Sequence, residues 1–429
     1  MLQFYDCLYA LCINSLFCYM VRFFIAFLLL VSNTIMSLHI YGADITVKGS
    51  SDKSGKQTVS ISGIQHDNSK PARDFIAILK NDLTRSGWFI PTDAESASIT
   101  ISGTVREGRE LSANINVSWM LASRQFNWTK NFQQDMIRDA AHSFSDLIVQ
   151  RILNKPPMAS SKIILVGKRG RDDTEIYVCD YDGARLQQVT SDGKLCMSPK
   201  WVPDKNAFLY TSWLTGASTV YKVDLKTKTR EAVSSFPGLN NGAAISPNGE
   251  FLAIVLSRSG GVDIYVKSFE TQRYNRITNS KSVNESSPSW SPNSSSIVYV
   301  SDETSSPQLY IMNKDTKQER RAVYGMRESV SPDWGANGLI AFCGREDRYR
   351  IYVMDPNRKE PKLVSPDDNA DYEDPSWAPD GRHIVCTRTV NYKKALVILD
   401  TMGDPAVPLI SLDGDWFLSN WSNNRTVDF

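Results

Sequence analysis

Histidine is scarce in this chain: four occur in 429 residues, at positions 39, 66, 142 and 383. They fall in four separate segments, so acid–base chemistry by His would need the fold to gather them. The usual catalytic signatures are missing as well. There is no Gly-x-Ser-x-Gly elbow, no phosphate-binding loop and no His-Glu-x-x-His. The seven cysteines contain no Cys-x-x-Cys and no Cys/His spacing of a zinc site. Charge is balanced, 48 Lys and Arg against 47 Asp and Glu, which removes the basic surplus that phosphate backbones demand. Together these absences argue against an enzyme, a metal centre, a bound cofactor and a nucleic-acid partner.

What is present begins with an apolar N-terminus. Residues 8–40 are strongly apolar, with little interruption beyond Arg22. From Met20, the short basic start Val21-Arg22 precedes an apolar run over 23–31, and small and polar residues follow to Gly42-Ala43. Residues 1–43 therefore read as an export signal cleaved near Ala43, with Met20 as an alternative start. The competing reading is an uncleaved anchor, since about 20 such residues span a bilayer. Cys7, Cys12 and Cys18 belong to this leader, leaving Cys179, Cys196, Cys343 and Cys386. Cys179 and Cys386 fall at repeat positions filled elsewhere by Val, Met, Ile or Tyr, which suggests buried thiols. Sequence leaves open whether any of the four pair.

The chain is long enough for two or three domains, and internal repetition organises most of it. Ser198-Pro199-Lys200-Trp201-Val202-Pro203-Asp204 returns as Ser287-Pro288-Ser289-Trp290-Ser291-Pro292-Asn293. It returns again as Asp374-Pro375-Ser376-Trp377-Ala378-Pro379-Asp380-Gly381. Weaker copies at 245–249, 331–338 and 419–424 place Pro247, Ala336 and Asn423 at the equivalent position. Tyrosines 177, 221, 265, 310 and 352, with Val397, recur in phase inside apolar runs. Four short strands about every 44 residues is the period of a propeller blade. The Pro-Asp-Gly ending suits a type I turn, and the Trp before it suits the gap between adjacent blades. The phase of the ends predicts the closure: the inner strand near 416–423 completes the blade begun near 162. The reading is a six-bladed β-propeller of four-stranded blades over 162–429, with no exposed sheet edge at its seam.

Residues 44–153 lack the repeat. They predict a small α/β domain with helices over 73–86, ended by Gly87, and 136–153. Strands are predicted over 45–47, 58–64, 98–106, 111–121 and 126–132. Residues 154–161, containing Pro156-Pro157, form the linker.

At this point the residues resemble the TolB family of periplasmic propellers from the Tol–Pal envelope system. The resemblance rests on the Ser-Pro-x-Trp-x-Pro-Asp-Gly repeats, Asp180-Tyr181-Asp182-Gly183, Phe236-Pro237 with Asn241-Gly242-Ala243, Leu83-Thr84-Arg85-Ser86-Gly87-Trp88-Phe89, and Ala141-His142-Ser143. It implies a non-enzymatic periplasmic scaffold, peripheral to membranes through its partners only, that supports outer-membrane integrity and constriction at division. It further implies that the lipoprotein Pal binds the loops entering each inner strand. On this chain those loops contain Asn240, Asn241, Gly242, Ala243, Asn284, Glu285, Ser286, Glu328, Asp371 and Glu373. Where family members often carry a His, this chain has Asn240. The family engages TolA through its mature N-terminus, which corresponds here to Asp44, Ile45, Thr46 and Val47. An unpaired strand there can add to a partner's sheet edge.

The same loops hold Asp367, Asp368, Asp371, Glu373, Asp374, Asp413 and Asp415. These read as solvated loops, or as a negative rim for a basic partner or a cation. The runs around Arg345 and Arg350 read as solvated turns. Two other functions stay open: an exported propeller that binds or hydrolyses a small ligand such as a glycan in its channel, and a membrane-anchored sensor.

Overall fold

Each 44-residue repeat folds as an antiparallel four-stranded blade because its apolar runs are short, rich in Val, Ile, Tyr and Phe, and punctuated by turn residues. In the computed structural model, which describes residues 55–169, 173–279, 283–358 and 360–423, six such sheets form the propeller. Blades 1 to 5 start with the inner strands Cys196–Trp201, Asn240–Ile245, Glu285–Trp290, Glu328–Trp334 and Asp371–Trp377. Blade 6 takes its inner strand, Asp415–Trp421, from the far end of the chain and pairs it with Lys162–Lys168. The closure follows the phase of the repeat.

The Trp residues hold neighbouring blades together. Trp201 packs against Ile164 and Val166 of blade 6, and Trp377 against Ala341 and Cys343 of blade 4. Trp290 also donates from Nε1 to the Ala244 carbonyl of blade 2 at 2.9 Å. In the Pro-Asp-Gly turn of blade 5, Gly381 donates to the Ala378 carbonyl at 3.1 Å and sits at φ +67, the left-handed conformation that glycine adopts without steric cost. The four cysteines at 179, 196, 343 and 386 are buried, unpaired thiols.

The α/β domain is a five-stranded sheet covered on one face by two helices. Strands β1 (Gln57–His66), β2 (Phe89–Pro91), β3 (Ile99–Glu107), β4 (Leu111–Trp119) and β5 (Arg124–Phe132) lie in the order β2-β1-β3-β4-β5. Helix α1 (Lys70–Arg85) is capped by Ser69, whose side chain accepts from the Ala72 amide, and Pro71 sits in its first turn. It therefore begins before residue 73, because a first-turn proline costs a helix nothing. Phe75, Leu79 and Leu83 form its buried stripe, each contributing about 1.5–3 kcal/mol. Helix α2 (Ile137–Leu153) ends at Asn154 with φ +53. Among the described residues no helix is long and apolar enough to cross a membrane.

Candidate partner-binding face

A four-stranded blade has two ends, and the chain uses them differently. One end carries the loops into the inner strands and the turns between the second and third strands. The other carries the Pro-Asp-Gly turns and the ends of the third strands, and in blades 5 and 6 it meets the α/β domain.

That junction is built from ions. Asp180, at the end of a blade 6 strand, accepts from Lys162 Nζ at 2.5 Å, Arg138 Nε at 2.9 Å and Arg185 Nε at 2.9 Å. On α2, His142 Nδ1 lies 2.7 Å from Asp82 Oδ2, and its Nε2 lies 3.7 Å from Asp180. Burial pushes the His142 imidazole toward neutrality, but the neighbouring carboxylates of Asp180 and Asp82 outweigh it and lift its pKa to about 9. Burial would raise Asp180 too, yet the His142 hydrogen bond and the Lys162 charge hold it well below the usual carboxylate range. Asp82, His142 and Asp182 are spaced closely enough for a metal ion. Arg138 sits on Asp182 at 2.8 Å, so a cation already occupies that role. Among the described residues the histidines are not gathered: His383 pairs with Asp380 at 2.6 Å in blade 5.

Gly87 ends α1 at φ +71, and a Cβ there would meet the Arg382 guanidinium at 2.5 Å. Arg382 cannot retreat easily, being held by Asp400 at 2.6 Å beneath the Trp88 ring. Gly87→Ala is expected to lower unfolding free energy by about 2 kcal/mol; a urea midpoint equal to that of the parent chain would show that the contact carries no strain.

The free end is the mouth. Inside it each inner strand bulges at a residue with positive φ: Ser198, Gly242, Ser287, Ser331, Asp374 and Leu418. Four of these precede a proline, which fits a bulge because no ladder N–H is needed there. The bulge residues line the mouth half of the channel, a space of about 100 Å³. Deeper in, Lys200 of blade 1 meets Asp333 of blade 4 across the axis at 3.7 Å. Ser331 Oγ donates to Asp374 at 2.9 Å, and burial raises the Asp374 pKa. Glu373 is raised by burial and then by its neighbour Asp374.

The residues singled out from sequence divide on inspection. Asn284 and Ser286 are exposed at the mouth, and Asn241, Gly242, Glu328, Asp371 and Glu373 are half-buried there. Asn240 is fully buried, its amide bonded to the Phe236 carbonyl at 2.7 Å and to Ser234 at 2.8 Å. Glu285 and Ala243 are buried as well. These three side chains brace the loops from within. Asp44, Ile45, Thr46 and Val47, together with the leader, lie outside the described residues. The acidic rim is partly neutralised: Arg350 reaches Asp367 at 3.3 Å, Arg388 reaches Asp368 at 2.9 Å, and Arg345 pairs with Glu328 at 2.9 Å. Arg345 and Arg350 flank the strand–strand turn expected there, which lies on the mouth end with Glu346, Asp347 and Arg348 exposed.

Sequence reasoning missed the apolar part of the face. Leu195, Tyr324, Tyr392 and Leu412 are 42%, 55%, 97% and 55% exposed, and all four lie on mouth loops or turns. Tyr392 tips the hairpin of His383–Val390 and Lys393–Asp400, in which each strand has eight residues against six in the equivalent strands of blades 1 to 4. Both turn residues have positive φ, Asn391 at 49 and Tyr392 at 65. Such turns favour Asn-Gly, so a tyrosine held there, exposed and strained, was the available signal.

The architecture defines a class: a β-propeller with one end closed by an α/β domain and the other offering loops, apolar side chains and charge. The chain belongs to the family of the TolB beta propeller domain, whose model matches residues 149–425. It is 29% identical over 229 residues to the Tol-Pal system protein TolB of Alcanivorax borkumensis, covering 47% of this chain and 53% of that one. It is 25% identical over 313 residues to the protein of the same name from Francisella tularensis, covering 70% and 68%. The chain thus spans about half to two-thirds of the length of these relatives. The crystal structure of TolB from Acinetobacter baumannii superposes with a TM-score of 0.77 at 23% identity, covering 86% of this chain and 96% of that one, a likeness of fold.

Proposed function

We propose that the chain is a non-enzymatic scaffold of the Tol–Pal system, exported to the periplasm by a cleaved signal peptide. It holds the lipoprotein Pal at the propeller mouth and TolA through residues 44–47, and so supports outer-membrane integrity and constriction during division. The observation that carries this reading is the set of exposed apolar side chains, Leu195, Tyr324, Tyr392 and Leu412, on the end left free by the α/β domain. Exposed apolar groups sharing one end of a protein with charged side chains fit a protein-binding surface, and exposed tyrosines are common anchors in such surfaces. Tyr392→Ala combined with Leu412→Ala is expected to weaken retention of Pal from envelope extract at least tenfold, about 1.4 kcal/mol. Retention equal to that of the parent chain would remove the mouth as the Pal site.

One observation favours a small-ligand reading: Lys200, Asp333 and Asp374 converge in the channel. They are largely paired with protein groups, and each channel half has room for a few waters. A sugar that raised the melting temperature would support this reading over the scaffold.

A further inference from the structure

Strands β4 and β5 are joined by a short helical turn, Met120–Ala122, closed by the Ser123 amide on the Met120 carbonyl at 3.2 Å. Residues 120–125 are all exposed, so the rest of the chain leaves this tip uncovered. Met120 is 78% exposed and Leu121 49%. Two large apolar side chains side by side on a turn are surface that only a contact from outside the chain can take out of water.

Charge points to what that contact is. From Leu111 to Gln134 the chain has no Asp or Glu, and its charged residues are Arg124 and Lys130. Arg124 lies over the Trp119 ring at 5.8 Å and donates to the Ile152 carbonyl in the last turn of α2. That bond brings the end of α2 to the tip, and with it Arg151, exposed beside the Phe126 ring at 5.3 Å. The acids of α2 are engaged elsewhere: Asp139 pairs with Arg185 at 2.5 Å, and Asp146 accepts from the Ala159 and Ser160 amides. Asp93 and Glu95 reach this end of the sheet in the segment leading into β3, two strands in from β5. The corner thus joins an apolar tip to two exposed guanidinium groups.

We infer that the β4–β5 tip is a contact for an anionic lipid bilayer, with Met120 and Leu121 entering the interface and Arg124 and Arg151 meeting head-group phosphates. Such contacts strengthen with the apolar area inserted and with the attraction of basic side chains to anionic lipid. A protruding turn with two apolar side chains is far smaller than the roughly 800 Å² per partner of a standard protein interface. A bilayer asks for less, because its surface yields to a tip. The contact uses neither the mouth nor residues 44–47, so it is independent of the partners proposed for them.

The test is co-sedimentation of the soluble form of the chain, purified from cells, with vesicles of phosphatidylglycerol and, separately, of phosphatidylcholine. The expected result is binding to phosphatidylglycerol at least tenfold tighter than to phosphatidylcholine. Met120→Ser combined with Leu121→Ser should weaken phosphatidylglycerol binding at least tenfold, and Arg151→Gln about fivefold. Melting temperatures equal to that of the parent chain would show both variants folded. No binding of the parent chain to phosphatidylglycerol, or equal binding to both lipids, would overturn the inference. Parent-like affinity in either variant would overturn it too.

Discussion

Asp180→Ala is expected to destabilise the junction by about 3–5 kcal/mol, because removing one partner from a buried ionic cluster strands the charges that faced it. The Asp180 side chain is buried and meets Lys162, Arg138, Arg185 and His142 within 3.7 Å. Arg138 and Arg185 keep Asp182 and Asp139, and His142 keeps Asp82. Even so, the cluster loses the carboxylate that joins α2 to blade 6. The loss should appear as a lower urea midpoint and as faster proteolysis in the linker 154–161, with Asp180→Asn falling between the two. A midpoint within about 0.5 kcal/mol of the parent, the usual range for a surface substitution, would mean that the pairings only offset their desolvation.

The same cluster sets a pH dependence. His142 has a folded pKa of about 9 against about 6.5 when unfolded. The stability it adds is complete below the unfolded value and is lost as pH rises through the folded one. The parent chain should thus weaken between about pH 6.5 and 9. That alkaline limb should be shallower in Asp180→Ala, where one of the two carboxylates facing His142 is gone. An equally steep limb would place the titration on another group.

How much of this was legible in the sequence depends on what made each feature periodic. The blades were, because five of the six inner strands end on a Trp that packs between blades, followed by Pro- or Asn-containing turn residues, and both demands leave residues at a fixed interval. Closure was legible from phase alone. The inner-strand bulge leaves its mark in the Ser-Pro pairs, but proline inside a strand marks a bulge only once the strand is placed. The junction was not legible. Asp180, His142 and Asp82 lie far apart in sequence: packing of α1 on α2 joins Asp82 to His142, and docking of α2 on blade 6 adds Asp180. At the mouth, loop positions were legible but side-chain directions were not. Asn240 sits where a contact was expected, yet its amide has five hydrogen-bond contacts within its own loop and the neighbouring strand ends, which turns it inward. Tyr392 was overlooked because attention fell on loops entering the inner strands, whereas the longer hairpin of blade 5 brings a second kind of turn to the same face.

The seam of the ring yields the remaining large effect. A chain ended at Gly414 is expected to lose cooperative unfolding and to aggregate. The missing strand, Asp415–Trp421, is the partner of Lys162–Lys168, and without it that strand becomes an open edge of apolar sequence. It also joins three blades at once. Trp201 of blade 1 donates from its backbone N to Asn420 Oδ1 at 2.9 Å and from Nε1 to the Asn420 carbonyl at 3.1 Å. Trp421 donates from its backbone N to Ser376 of blade 5 at 3.1 Å, and from Nε1 to Ser161 at 2.7 Å. Trp416 and Trp421 are 1% and 3% exposed, and their burial disappears with the strand. Because the truncated chain cannot report a midpoint if it aggregates, Trp421→Ala serves as the graded version. It should cost about 3–5 kcal/mol, the range for deleting a buried Trp side chain, while leaving the fold assembled by circular dichroism. If the chain ended at Gly414 unfolds as sharply and at the same midpoint as the full chain, the seam does not close the ring. If Trp421→Ala matches the parent, the indole is not what locks blade 6 to blade 5.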